Sequence, residues 1–409
     1  MYSLLREKAA NYENSLIQFA QKLVSFPAGD DFEDELVGET VVAAMDSLGY
    51  DKVFKDSIGN VAGCIFGRNY SPTLLLVSHM DSIHMPPKGA VNRVGIEDDV
   101  LYGYGASDSR GGLAAQVYAG RLLKETVPMY GNLIVVATVA EQGGCSIGIR
   151  HFLKDTLPSL GLKPSFAILS EPTNLGLYYG HEGWVTIQLR ISGQSLDEVK
   201  QAALELYTFL NKSSANALSD SDNVEEISIS KPEVIESADQ KQAVIRVTQR
   251  LRNKNEILNF LCRLRETTRL ICRPYNTVST SAGICRRMLH SKEGGSHVVR
   301  QFSLPWATDP LNSYFEEARL ALRTADCDVR GGSGHNGSLG VGTAGSVLTE
   351  MYGIPTIGYG PGSELESLVS EDYVKIENLK EAFYGTAVIA HRITGIPSVN
   401  KTEINNKTT

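Results

Sequence analysis

Three short, almost wholly apolar runs constrain this chain more than any other feature. "TLLLVSH" (73–79), "GNLIVVATVAE" (131–141) and "SFAILSE" (165–171) lack the polar alternation of a strand with one wet face. Such continuity marks strands buried on both sides, as in a mainly parallel sheet covered by helices. The intervening "GGLAAQVYAGRLLKE" has the 3.6-residue spacing of a helix. In sheets of this kind ligands sit beyond the carboxyl ends of the strands. Each run ends there in a group able to hold a cation or move a proton: His79, Glu141 and Glu171.

Two neighbouring stretches add to the set. "SHMDS" places Asp81 two residues after His79, on the same face of an extended strand, where it can orient the imidazole or tune its charge. "YGYGASDSRGG" places Asp108 in a glycine-rich turn ahead of the helix. Each has a plainer reading alone: a capped loop histidine, a helix N-cap aspartate, a strand-end acid meeting water. His79, Asp108, Glu141 and Glu171 arriving in chain order at one sheet edge favour a site.

At 409 residues the chain is long enough for two or three domains. The texture of residues 1–182 returns after about 300, so a catalytic unit is expected from 1–182 and 301–409. Between them, 183–300 reads strand–helix–strand–helix, a smaller α+β insertion, and the Gly/Ser-rich "SKEGGSHVVR" (291–300) reads as its boundary. The first 25 residues carry one amphipathic helical stripe and no signal-peptide core. No apolar run near the motifs approaches the roughly 18 residues of a membrane span. A net charge of −8 argues against nucleic-acid partners. Six cysteines without C-x-x-C spacing point to reduced thiols and a cytoplasmic protein, with Cys145 read as a buried thiol rather than a nucleophile.

"SHMD", "LYGYGASDSRGGLAA", "VATVAEQGG", "ILSEPTN" and "GYGPGSELESLVSEDYV" together resemble the zinc-dependent aminoacylase and carboxypeptidase family that includes succinyl-diaminopimelate desuccinylase and acetylornithine deacetylase. The resemblance covers the first 182 residues and about the last 100. It implies a catalytic α/β domain interrupted by an α+β lid that often forms a homodimer contact. It also implies His79 and Glu171 as ligands of a first metal, Asp108 as the bridging carboxylate and Glu141 as the general acid–base. Zinc is the implied cofactor, with cobalt or manganese able to substitute.

The departures are selective. Gln142 stands at a carboxylate ligand of the second metal and Leu368 at its histidine, while Asp372 falls at the family's final acid. A neutral amide is a poor zinc ligand and leucine is none. The lid segment "RISGQSLDEVKQA" lacks the usual histidine that reaches the substrate oxyanion, and Ala344 and Thr248 replace frequent aspartates. Two readings follow: an amidohydrolase working on one metal, with Arg250 a candidate for gripping a substrate carboxylate, or a degenerate member that binds a metabolite or protein. Arg250 is equally well read as a surface residue of the lid. His181 and His335 are candidates for a substitute ligand or donor, though structural loop histidines are the commoner case.

Overall fold

The computed structural model describes residues 1–27, 35–82, 93–141, 146–217, 227–237, 241–290, 296–334, 343–363 and 372–395. The three apolar runs are neighbouring strands at the centre of a nine-stranded sheet. Thr73–His79 lies between Asn132–Thr138 and Phe166–Leu169 and runs parallel to both, and Thr356–Gly358 continues the parallel set. Antiparallel strands flank this centre, Val61–Ile65 on one side and Leu177–His181 on the other. The central strands are buried at every position except His79. Register aligns their ends: His79 lies opposite Thr138, and Val77 opposite Leu169. The residues following each strand therefore emerge at one edge.

Helices cover both faces. The expected single N-terminal stripe breaks at Asn11 and Tyr12 into Tyr2–Ala10 and Glu13–Ser25, which pack with Arg110–Thr126 and Ile376–Thr394 on one side. Short helical segments around Ile149, Phe152 and Val347 cover the other. Within Arg110–Thr126, Leu113, Val117, Leu122 and Leu123 are wholly buried, each worth about 1.5–3 kcal/mol in transfer free energy. Gly112 lets this helix start against the sheet, because a Cβ there would lie 2.5 Å from Ser170 Cβ.

A second sheet has the order Ile227–Ile229, Lys241–Leu251, Gly183–Gly193, Val278–Ile284, all antiparallel, and Phe302–Ser303 also pairs with Gly183–Gly193. Here the pattern is one-sided: Val185, Ile187, Leu189 and Ile191 face a separate core with residues of helices Leu196–Ala217 and Glu256–Cys272. The stretch ending at Arg300 contributes Ser296–Arg300, which pairs with Arg286–His290 as a hairpin. The architecture is thus α/β, a large helix-covered sheet with a parallel centre plus a smaller α+β unit inserted in the chain. The cysteines among the described residues are free thiols, and no described helix is long and apolar enough to cross a membrane.

Candidate active site

His79 ends its strand with its backbone held by Ser109, whose hydroxyl accepts the His79 N–H (3.0 Å) and faces its carbonyl at 3.2 Å. Its Nδ1–H donates to the Asp81 main-chain carbonyl (2.8 Å), while the Asp81 carboxylate stands off at 3.8 Å. The carbonyl therefore sets the ring orientation, leaving Nε2 toward Asp108 Oδ1 at 3.0 Å. Burial opposes charge on this imidazole, but the carboxylates of Asp108, Asp81 and Glu171 outweigh it and push the pKa up to about 10. The cluster demands a positive charge at Nε2, which a proton or a cation can supply.

Asp108 is not a helix cap: Ser109 occupies the N-cap position of Arg110–Thr126. Its loop is held from several directions. Tyr104 N–H donates to Val24 O (3.0 Å), and Gly105, in the left-handed region at φ +72°, donates to the Asp372 carboxylate (2.8 Å). Fully buried Arg110 ties the neighbouring turns together, donating from Nε to Met80 O (2.7 Å) and from Nη1 to Phe26 O (2.6 Å).

Glu141 follows Ala140, whose φ of +52° is a left-handed conformation costing roughly 1–2 kcal/mol for a residue with a Cβ. Its N–H donates to the Asp81 carboxylate (3.0 Å), so the side chain of Asp81 fixes Glu141 while its carbonyl fixes His79. Glu141 is 4 % exposed. Oε1 accepts the Ile149 N–H (2.8 Å), whereas Oε2 is buried with no hydrogen-bond partner. Burial, reinforced by Asp81, pushes this carboxyl up to about 7 against the bond from Ile149 and the nearby His79. His79, Glu141 and Glu171 line one cavity of about 10 Å3 with Ser109, Ser170 and Thr343, the scale of one water-sized sphere.

These residues fit a cation in donor chemistry: one imidazole with a fixed tautomer, several carboxylates, and an orphaned acidic oxygen beside them. Two donors on a tetrahedral zinc at about 2.0 Å are about 3.3 Å apart, close to the 3.0 Å separating His79 Nε2 and Asp108 Oδ1. Among the described residues, however, no group of three His, Cys, Asp or Glu side chains is arranged as a finished metal site.

Other candidates lie elsewhere. Arg250 sits in the second sheet opposite Trp184, its Nε 3.4 Å from Glu182 Oε2, and does not line the cavity. Its side chain is only 15 % exposed, so it is not a free surface arginine. His181 ends Leu177–His181, where Nδ1–H donates to the Glu182 carbonyl (2.6 Å), and it lines a different cavity of about 410 Å3 with Trp306 and Arg252. Gln142, Leu368, His335 and Cys145 lie outside the described residues. Sequence reasoning missed Ser109 and Thr343. Ser109 adjoins Asp108 in the chain. Thr343, beside the flagged Ala344, is held by Trp306 Nε1 (2.7 Å), a pairing with no local sequence signal.

The chain thus joins a helix-covered sheet with a parallel centre, a smaller α+β unit inserted in the chain, and a His/Asp/Glu cluster at the strand ends, the arrangement of an α/β fold with its polar groups gathered at one sheet edge. The sequence pattern of Peptidase family M20/M25/M40 matches residues 75–391, and the chain belongs to that family. It is similar to carboxypeptidase G2 of Pseudomonas sp. (strain RS-16), 29% identical over 204 residues, 47% of this chain and 48% of that protein. The chain spans about half the length of the curated relatives it matches. Its fold matches a Staphylococcus aureus tripeptidase at TM-score 0.67 and 18% identity, covering 92% of this chain and 97% of that one. A dinuclear metal-binding M20-family peptidase of Bacillus subtilis superposes with TM-score 0.64 at 13% identity, covering 93% and 98%.

Proposed function

We propose that this protein is a metal-dependent hydrolase of an amide bond, an N-acyl-amino acid deacylase or small-peptide peptidase. The observation that carries the reading is Glu141 Oε2, a buried carboxylate oxygen with no partner beside His79 and Glu171. His79, Asp108 and Glu171 would hold one cation, zinc by preference, with cobalt or manganese as substitutes. Bound there, it would supply Lewis acidity and a water of lowered pKa. Glu141 would take a proton from the attacking water and return it to the leaving amine, a role suited by its buried, unpartnered oxygen beside His79 and Glu171. Asp81 would hold Glu141 and His79 in mutual register through its side chain and carbonyl. Arg250 would bind a substrate carboxylate in exchange for Glu182.

With Gln142 and Leu368 in place of a carboxylate and a histidine, one metal per chain is proposed. Domain limits are proposed at 1–182, 183–300 and 301–409, with homodimerisation through the middle segment. A cytoplasmic setting is proposed from six cysteines without C-x-x-C spacing, a small amide or peptide as substrate from the family, and no membrane partner; the charge of −8 weighs against nucleic acid.

The test pairs metal content with turnover. Wild type should retain about one zinc after dialysis and hydrolyse members of a panel of N-acyl-amino acids and dipeptides with zinc, cobalt or manganese. Glu141→Gln should lose turnover by at least 10²-fold, within the range for removing a general acid–base, and keep its metal. No metal and no turnover in wild type would instead favour a degenerate member that uses the cleft to bind a metabolite or protein.

A further inference from the structure

Asp372 is 4 % exposed and spends both carboxylate oxygens on the backbone of the loop that carries Asp108. Oδ2 accepts the Gly105 N–H and Oδ1 the Ser107 N–H, each at 2.8 Å. Its main-chain carbonyl accepts the Gly103 N–H at 3.0 Å, so alternate residues 103, 105 and 107 all donate to this one residue. The approach is built into the fold: Tyr373–Lys375 pairs antiparallel with Val100–Tyr102, Tyr373 opposite Tyr102, so Asp372, immediately before Tyr373, comes beside Gly103 at the start of the loop. Ser107 Oγ adds a bond to the Ser363 carbonyl (3.0 Å). On the other side of Asp108, Ser109 grips the His79 backbone.

We infer that Asp372 is a positioning residue, a carboxylate clasp from the C-terminal segment that sets where Asp108 meets His79. Loop atoms left to themselves at a glycine-rich turn sample many arrangements, and two acceptors spaced on one rigid carboxylate select one. A metal ligand tolerates little displacement, and the groups that orient ligands tune affinity about 10–100-fold. An asparagine has one acceptor oxygen and turns an NH2 toward an N–H donor, so it cannot hold both bonds. This inference rests on the proposed role of His79 and Asp108 as ligands.

The test is titration of the metal-free full chain with Co2+, read by visible absorption and calorimetry, alongside urea unfolding. Asp372→Asn should bind Co2+ at least 10-fold more weakly, with a changed band. Asp372→Glu keeps both acceptors but displaces the loop by a methylene, so it should lie between the two in affinity, with a shifted band. Val374→Ala, a buried truncation in the adjoining strand, should lower the urea midpoint and leave the cobalt site unchanged. Wild-type affinity and spectrum in Asp372→Asn would overturn the proposal, as would equal losses in Val374→Ala. A wild-type band in Asp372→Glu would overturn it even where Asp372→Asn failed to fold. A wild type that binds no Co2+ would overturn the metal reading itself, and this inference with it.

Discussion

Glu141 shows what a buried carboxylate costs at the level of a single residue. Its pKa is raised from 4.5 to about 7, chiefly by burial, so the folded chain binds this proton more tightly than the unfolded one. The sign follows: the group is neutral and costs nothing below pH 4.5, and its penalty grows as pH rises from there and is complete above 7. The difference corresponds to about 3 kcal/mol. The amide introduced by Glu141→Gln would keep an oxygen for the Ile149 N–H without the buried charge. Metal-free Glu141→Gln is therefore expected to melt a few degrees above wild type at pH 8, with the two curves converging toward pH 5. Calorimetric scans across that range check it; equal melting temperatures at pH 8 would contradict the burial argument.

Among elements, the loop that presents Glu141 is fastened at both ends by one side chain. Asn60 is 1 % exposed; its Oδ1 accepts the Val139 N–H (3.0 Å) and its Nδ2 donates to Gly148 O (3.0 Å) and Asp56 Oδ2 (2.8 Å). It joins the turn after Lys52–Lys55 to the end of Asn132–Thr138 and the start of Ile147–His151. Asn60→Ala strands the buried Val139 N–H, while Gly148 O keeps the Phe152 N–H and Asp56 Oδ2 the Thr156 hydroxyl, and should cost about 1–3 kcal/mol for the one unsatisfied group. Asn60→Asp should cost more at neutral pH, because it replaces a donor with charge facing the Gly148 carbonyl and Asp56 carboxylate. Urea midpoints at constant slope would show the order wild type, alanine, aspartate. Aspartate above alanine would mean that Nδ2 contributes little.

At the scale of the molecule, the proposal of one metal per chain turns on Gln142 and Leu368. Restoring Gln142→Glu with Leu368→His returns a carboxylate and an imidazole together. Metal analysis should then rise from about one to nearly two ions per chain, each single change falling short. A double variant still holding one ion would show that backbone placement, and not ligand identity, keeps the second position from forming.

The central strands were legible because their signal is local, and the positions of His79, Glu141 and Glu171 at or just beyond their ends were legible with them. A run such as "LIVVATVA" has only one economical environment, and an ionisable residue ending it must stand at the sheet edge. The helix of 110–126 and the one-sided strands of the inserted unit were legible for the same reason: spacing along the chain maps directly onto a face. The N-terminal stripe misled at Asn11, since an apolar face continues across a bend that only packing against Arg110–Thr126 reveals. Which oxygen of Asp81 orients His79, how Asp372 secures the Asp108 loop and why Thr343 borders the cavity depended on contacts between residues remote in the chain or on side-chain direction at a strand end. The sequence by itself determined the buried strands, the sheet edge at which they end and the residue types present there. The tertiary structure alone decided their mutual orientation, because a hydrogen bond spanning 265 residues has no period and leaves no local pattern to read.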